Sequence, residues 1–536
     1  MLWLLLVACS PEKPSDPADT ADTDVVDTDV VDTIDTDVVV PDTDLPPPSC
    51  TSDAGPAVQT STGCVIGAQT GDLETFLGVP YAEPPVGDLR WRRPVPVTPW
   101  STPLDATRPG PACPQTNGTL DGALEPGDGD EDCLTLNMLR PPGASNLPIL
   151  FFSHGGSHVD GSGSQALYID DPALAQSAIV VTHNYRLGPL GFLSHPLLSA
   201  EDPDGVSGNQ GLRDTLMALQ WVHDNASALG GDPDKVLIFG ESAGGLTTCA
   251  LWMMPEARGL FSAMLTESAP CTNLERPMRR STLVQESGED QGSRYAAELG
   301  CDRDPDPLAC MRDADVSDVL AALPGQQGLL DAGETYGVVI DGVQLPHGYA
   351  DALRLGDVAP VPVFATTNAD EGLIFTAGIP LANEAAYRNA LRPYALLARS
   401  SVDELAALYD PADYPSYAAA FSDLFGDYAF VCPTRQMLAD VDGYGLYFGR
   451  DYLGAEVAGA FHGAELGYVF GTLRAAPAVD AALAETLQAA WTSTVTTPVV
   501  DGPWPQIGEG WVEVGADGAI STVADLKAEK CAVLGR

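Results

Sequence analysis

Short runs of apolar, β-branched and aromatic residues recur along this chain, separated by helix-like stretches. They fall at 148–152, 178–181, 236–239, 261–265, 361–365 and 446–448. Most lack the strict alternation of a half-exposed strand, as expected where both faces of a strand are covered. Leu212 to Leu229 carries the period of an amphipathic helix, and Gly230-Gly231-Asp232-Pro233 stops it. Strands alternating with helices predict an α/β fold, with a central, mostly parallel twisted sheet and helices on both faces.

The N-terminus departs from this pattern. Residues 1–9 are apolar and end in Leu6-Val7-Ala8-Cys9, which resembles a bacterial lipobox with Cys9 as the lipidated residue. The stretch is short and has no basic residue before it. A plain secretory signal is the alternative, and either one exports the chain. Residues 10–49 repeat Asp-Thr-Asp-Val-Val three times and run into Pro46-Pro47-Pro48. Eleven Asp, one Glu and one Lys give this segment a net charge of −11. Such a segment cannot bury a core and reads as a disordered, self-repelling acidic tether. As a flexible coil it would span roughly 35 Å. It lacks the glycine and glutamate of an EF-hand loop, so a solvated spacer is expected here rather than a calcium site. The catalytic domain is expected over 50–536.

Of the 536 residues, 45% are hydrophobic, enough for a large core. No apolar run approaches the 18 residues or so of a membrane-spanning helix. The net charge is −49, and −38 remains once the tether is set aside. That excess argues against nucleic acid or an anionic membrane surface as a partner. Membrane contact is expected only through a lipid on Cys9.

The candidate chemistry begins at Gly240-Glu241-Ser242-Ala243-Gly244, which follows the apolar run 236–239 and opens a helix-like stretch. This is a G-x-S-x-G elbow in a strand–turn–helix context. A serine hydroxyl needs a base, an acid to orient that base, and donors for the oxyanion. In sheets of this kind the chain order is serine, acid, histidine. Of seven histidines, only His347 and His462 follow Ser242. The acid candidates Asp370 and Glu371 come after the run 361–365, so His347 precedes both and His462 remains. Sequence alone leaves Asp370 and Glu371 open. His154-Gly155-Gly156-Ser157, after the run 148–152, offers an oxyanion loop, and the Ala243 N–H adds a donor. His154 is expected to brace that loop, and His158 to line the pocket or lie exposed.

Several further segments carry a resemblance. They are 76–87 (FLGVPYAEPPVG), 131–137 (EDCLTLN), Asn184-Tyr185-Arg186, Gly191-Phe192-Leu193, 208–212 (GNQGL), 218–222 (ALQWV), the elbow, and His462-Gly463-Ala464-Glu465. Together, and in this order, they resemble the carboxylesterase type B family over roughly residues 58–536. The resemblance implies the α/β-hydrolase fold, hydrolysis of a small-molecule carboxylic ester, and no metal or cofactor. It implies Ser242 as nucleophile, Glu371 as acid and His462 as base. The oxyanion N–H groups would come from Gly156, Ser157 and Ala243, with Gly155 in the same loop. The family usually has glycine where this chain has Ser157. Glu241 and Ser268 match polar positions beside the nucleophile, and Arg90 with Glu131 matches a structural ion pair.

With Cys9 set aside, ten cysteines remain, an even number in an exported chain. None has C-x-x-C spacing, so no zinc site is expected. The resemblance implies Cys113–Cys133, Cys301–Cys310 and Cys432–Cys531. Cys50–Cys64 and Cys249–Cys271 are then possible pairings of the rest. Cholinesterases hold a tryptophan in the loop closed by the first of these bridges, where it binds quaternary ammonium by cation–π attraction. Residues 114–132 contain no aromatic, which turns the expectation to a general, non-choline ester. Other readings share the fold. A non-catalytic adhesion member lacks the serine, whereas Ser242, Glu371 and His462 are all present. A lipase or lactonase uses the same triad, but a lipase calls for an apolar lid and 114–132 is polar.

Overall fold

The computed structural model describes residues 50–116, 129–282, 285–326, 333–451, 459–473, 477–497, 504–506 and 509–535. The expected signal segment with Cys9 and the acidic tether 10–49 lie outside the described residues.

Among the described residues one sheet holds eleven strands. In chain order these are β1 Ala68–Thr70, β2 Leu73–Pro80, β3 Thr135–Arg140, β4 Leu147–Ser153, β5 Ile179–His183 and β6 Gly231–Glu241. They continue as β7 Ala263–Glu267, β8 Val363–Asn368, β9 Tyr444–Phe448, β10 Trp511–Val514 and β11 Ile520–Val523. Their order across the sheet is β11-β10-β9-β8-β7-β6-β4-β5-β3-β2-β1. Every pairing from β10 across to β5 is parallel. The outer pairings are antiparallel. The mostly parallel sheet anticipated from the apolar runs is the middle of this larger one.

The missing alternation has a physical cause. Ile149, Phe151, Val236 and Ile238 bury into one core, while Leu150, Phe152, Leu237 and Phe239 bury into a second core on the opposite face. Side chains alternate across a strand, so a strand covered on both sides needs apolar residues at every position. Helix α1, Gln210–Leu229, contributes Leu212, Leu219 and Val222 to the first core, and α2, Ala243–Met253, adds Leu251 and Trp252. Helix α3, Ala478–Thr496, packs Leu483, Leu487 and Trp491 into the second. Each such side chain contributes about 1.5–3 kcal/mol on burial. Helix α1 ends where Gly230 takes a left-handed conformation at φ 84° and its N–H reaches back to Ala226 and Ser227 carbonyls.

Two strand boundaries differ from the apolar runs. β7 begins at Ala263 and not 261, and β8 begins at Val363 and not 361. The two strands pair in parallel, with Met264 opposite Val363, so they shift together. β3 gave no clear pattern because Asn137 interrupts it. That amide is buried yet satisfied, donating to Gly163 O, Ser164 Oγ and Thr182 Oγ1 at 3.1–3.2 Å.

The described residues hold five disulfides: Cys50–Cys64, Cys113–Cys133, Cys249–Cys271, Cys301–Cys310 and Cys432–Cys531. So many bridges point to an exported chain that folds in an oxidising compartment. No helix among the described residues is long and apolar enough to cross a membrane. Arg90 grips Glu131 through two nitrogens at 2.8 and 2.6 Å, and its third nitrogen bonds the Arg312 and Ala314 carbonyls.

Candidate active site

The C-terminal ends of β4, β6, β7, β8 and β9 lie side by side, and the segments leaving them converge, as ligand sites do in open α/β sheets. From β6 the chain turns through Ser242, at φ 55° and ψ −121°, straight into α2. The Ser242 N–H donates to Glu267 O on β7 at 2.8 Å. Space explains one glycine of the elbow: a Cβ on Gly244 would sit 2.0 Å from Ser153 O. Only glycine lets α2 start this close to β4.

Glu371, and not Asp370, faces His462. His462 Nδ1 lies 2.6 Å from Glu371 Oε2. The other carboxylate oxygen of Glu371 accepts from Ser268 Oγ at 2.6 Å, Thr367 Oγ1 at 2.9 Å and the Asn368 N–H at 2.8 Å. Four donors thus fix this buried carboxylate. Asp370 has a different task. Its Oδ2 accepts the Ala460 N–H at 2.9 Å and its own N–H bonds Ala460 O at 3.0 Å, which ties down the segment leading to His462.

The second nitrogen of the imidazole, Nε2, lies 3.1 Å from Glu241 Oε1. Ser242 Oγ makes no hydrogen bond to a described residue. Burial opposes charge on His462, but the Glu241 and Glu371 carboxylates and the bond to Glu371 outweigh it and push its pKa up to about 9. Burial pushes Glu241 up to about 7, against the pull of His462. Below them Glu465, from the His-Gly-Ala-Glu motif, is pushed up to about 8 by burial and by Glu241. Glu267 is also driven up, chiefly by burial.

The loop after β4 has a backbone unlike that of ordinary turns. Gly156, Ser157 and His158 all have positive φ, at 105°, 55° and 58°. The N–H groups of Gly156, Ser157 and Ala243 donate to no described acceptor, and successive N–H groups in this geometry make an anion-binding concavity. Gly155 plays a packing part: a Cβ there would sit 2.5 Å from Glu241 Oε2. His154 bonds Gly155 O through Nδ1 at 2.8 Å and stacks on Tyr185, ring centroids 4.5 Å apart. Burial lowers its pKa to about 4, so it braces the loop as a neutral ring. His158 lines the cavity and bonds Thr247 Oγ1 at 3.0 Å, and burial holds it near 3.

Ser242 opens into a cavity of about 290 Å³. Phe375 and Phe430 form one wall, each with its ring 4.8 Å from the His462 ring. Asn273, Gln326 and Thr335 add polar lining, and no Lys or Arg is among the described lining residues. Sequence reasoning did not find these walls. Their residues lie on loops and short helices far apart in the chain, with no motif of their own. Of the expected tryptophan-free loop 114–132, residues 117–128 lie outside the described residues. No group of three or more metal-binding side chains occurs among the described residues.

The carboxylesterase family model matches residues 54–532. A fumonisin B1 esterase of Sphingopyxis macrogoltabida is 34% identical over 491 residues, covering 87% of each chain. A para-nitrobenzyl esterase of Bacillus subtilis is 32% identical, over 82% of this chain and 89% of the relative. A solved PNB esterase structure superposes with a TM-score of 0.71 at 31% identity, covering 89% of this chain and 99% of its own. The chain described here belongs to the carboxylesterase family and is a carboxylic ester hydrolase with the α/β-hydrolase fold.

Proposed function

We propose that this enzyme cleaves neutral, non-choline carboxylic esters through an acyl-enzyme on Ser242. The observation that carries the reading is the 2.6 Å bond between His462 Nδ1 and a Glu371 carboxylate held by three further donors, beside an elbow serine. His462 Nε2 takes the Ser242 proton as Oγ attacks the ester carbonyl. Glu371 holds the ring in the tautomer that leaves Nε2 free to accept, and stabilises the imidazolium that forms. The N–H groups of Gly156, Ser157 and Ala243 receive the charge on the tetrahedral oxygen. His462 then protonates the leaving alcohol, and water, activated by the same ring, releases the acid.

The cavity supports this substrate class. Its described lining carries no cation, and His158 is neutral. An acyl group with a free carboxylate would therefore be desolvated with no described cation to pair with. The absence of aromatics from 114–132 removes the ring that a choline headgroup needs. We place the enzyme outside the cytoplasm, held by a lipid on Cys9. Equal membrane partition of wild type and Cys9→Ala would remove the anchor from this reading.

The test is hydrolysis of p-nitrophenyl acetate and butyrate by wild type and Ser242→Ala. Losing the nucleophile is expected to lower kcat by roughly 10⁴–10⁶-fold while leaving the fold intact. Equal turnover by the two proteins would sink the mechanism.

A further inference from the structure

Of the three N–H donors Gly156, Ser157 and Ala243, only Ser157 carries a side chain on a left-handed backbone. Its φ is 55°, a region that disfavours every residue with a Cβ. Glycine would adopt it freely. A side chain kept at such a position calls for a reason beyond the loop's shape.

The hydroxyl has no structural task. Ser157 Oγ makes no hydrogen bond to a described residue, although its neighbours are heavily tied. Gly156 O accepts from both Val159 N and Asp160 N, at 2.9 and 3.0 Å. His158 O accepts from Gly188 N, and Gly161 is clamped at both N–H and carbonyl by the Gln115 amide at 3.0 Å. The loop is therefore fixed without help from Ser157. The side chain instead lines the same cavity as Ser242.

We propose that the Ser157 hydroxyl is a further hydrogen-bond donor to the tetrahedral oxygen, acting beside the residue's own N–H. This rests on the acyl-enzyme reading above. The hydroxyl and the N–H belong to one residue that lines the cavity beside Ser242, and a serine rotamer with Oγ gauche to nitrogen lets both donate to one acceptor. The alkoxide carries a full charge and can share a lone pair between two donors. The ester carbonyl that precedes it is a weaker acceptor, so the added bond strengthens as charge develops. A donor on a rigid loop needs no reorganisation at that moment, and the benefit falls on kcat rather than KM.

Two variants separate hydroxyl from backbone. Ser157→Gly removes the hydroxyl and relaxes the left-handed strain; Ser157→Ala removes the hydroxyl and keeps the strain. With p-nitrophenyl acetate, both are expected to lose kcat by about 100-fold with KM within about twofold, the lower end of the range for one oxyanion donor. Melting temperature should diverge, with the glycine variant equal to or above wild type. Affinity for a trifluoromethyl ketone, which presents an alkoxide on Ser242, should fall in parallel with kcat. A kcat within about twofold of wild type in either variant overturns the proposal, since one lost donor costs more than that. A folded wild type that turns over no ester would instead bring down the acyl-enzyme reading, and this proposal with it.

Discussion

His462 lies between two carboxylates, with Nδ1 2.6 Å from Glu371 Oε2 and Nε2 3.1 Å from Glu241 Oε1. Glu371 is pinned by Ser268, Thr367 and Asn368, whereas Glu241 comes from the elbow itself. The ring therefore has a fixed partner on one side. On the other, the Glu241 carboxylate faces Nε2.

That arrangement sets a pH dependence. A base must be neutral to accept the Ser242 proton, and His462 is pushed up to about 9. The neutral fraction thus grows with pH below that value, and kcat/KM should rise across the neutral range and level off near 9. Removing the charge with Glu241→Gln lowers the pKa of His462, so the rising limb should move to lower pH. The check is a pH profile of kcat/KM for both proteins; an unmoved limb would show that Glu241 does not act on the ring.

Glu371 and Asp370 are adjacent but not equivalent. Glu371→Gln leaves the ring in the wrong tautomer and should cost about 10⁴-fold in kcat, the scale seen when a triad acid becomes its amide. Asp370→Asn keeps an acceptor for the Ala460 N–H, so its cost in kcat should stay below about tenfold, the scale of one neutral hydrogen bond. Steady-state kinetics of the pair decides this, and equal losses would contradict the assignment.

The cation-free cavity makes a prediction about acyl groups. A carboxylate taken into this cavity leaves water without a described cation to pair with, which costs about 1–3 kcal/mol or more. p-Nitrophenyl butyrate should therefore exceed the p-nitrophenyl monoester of glutarate by at least about tenfold in kcat/KM. The gap should narrow in Gln326→Arg, which places a cation in the polar lining.

The disulfides should differ in what they contribute. Cys432–Cys531 closes a separation of 99 residues and Cys301–Cys310 one of 9. In the chain-entropy account these stabilise by about 4.7 and about 2.6 kcal/mol. Replacing each pair with serine should lower the melting temperature more for 432/531, as read by calorimetry.

Much of the site was legible along the chain. The apolar runs located the central strands because burial on both faces demands apolar residues at every position. The elbow, and the order serine, acid, histidine, isolated Ser242 and His462 from the residues alone. The carboxylate could not be chosen this way. Asp370 and Glu371 are chemically alike and adjacent, and only the turn after β8 decides which one faces His462 and which one ties Ala460. The resemblance named Glu371, but the reason lies in three donors from β7 and β8 that converge on it. The edge strands also escaped, since one exposed face leaves them short and mixed in polarity, and β3 hid its burial behind a satisfied Asn137.

The sequence by itself determined the covalent and periodic facts: a sheet covered on both faces, a serine on a sharp turn, an acidic chain with an even set of bridging cysteines. Those features rest on local spacing, which a linear chain displays directly. Only the tertiary structure decided that Glu241 faces His462, that Phe375 and Phe430 flank it, and that the described polar lining of the cavity is uncharged. Those are distances between residues far apart in the chain, fixed by how strand ends align and not by any local pattern.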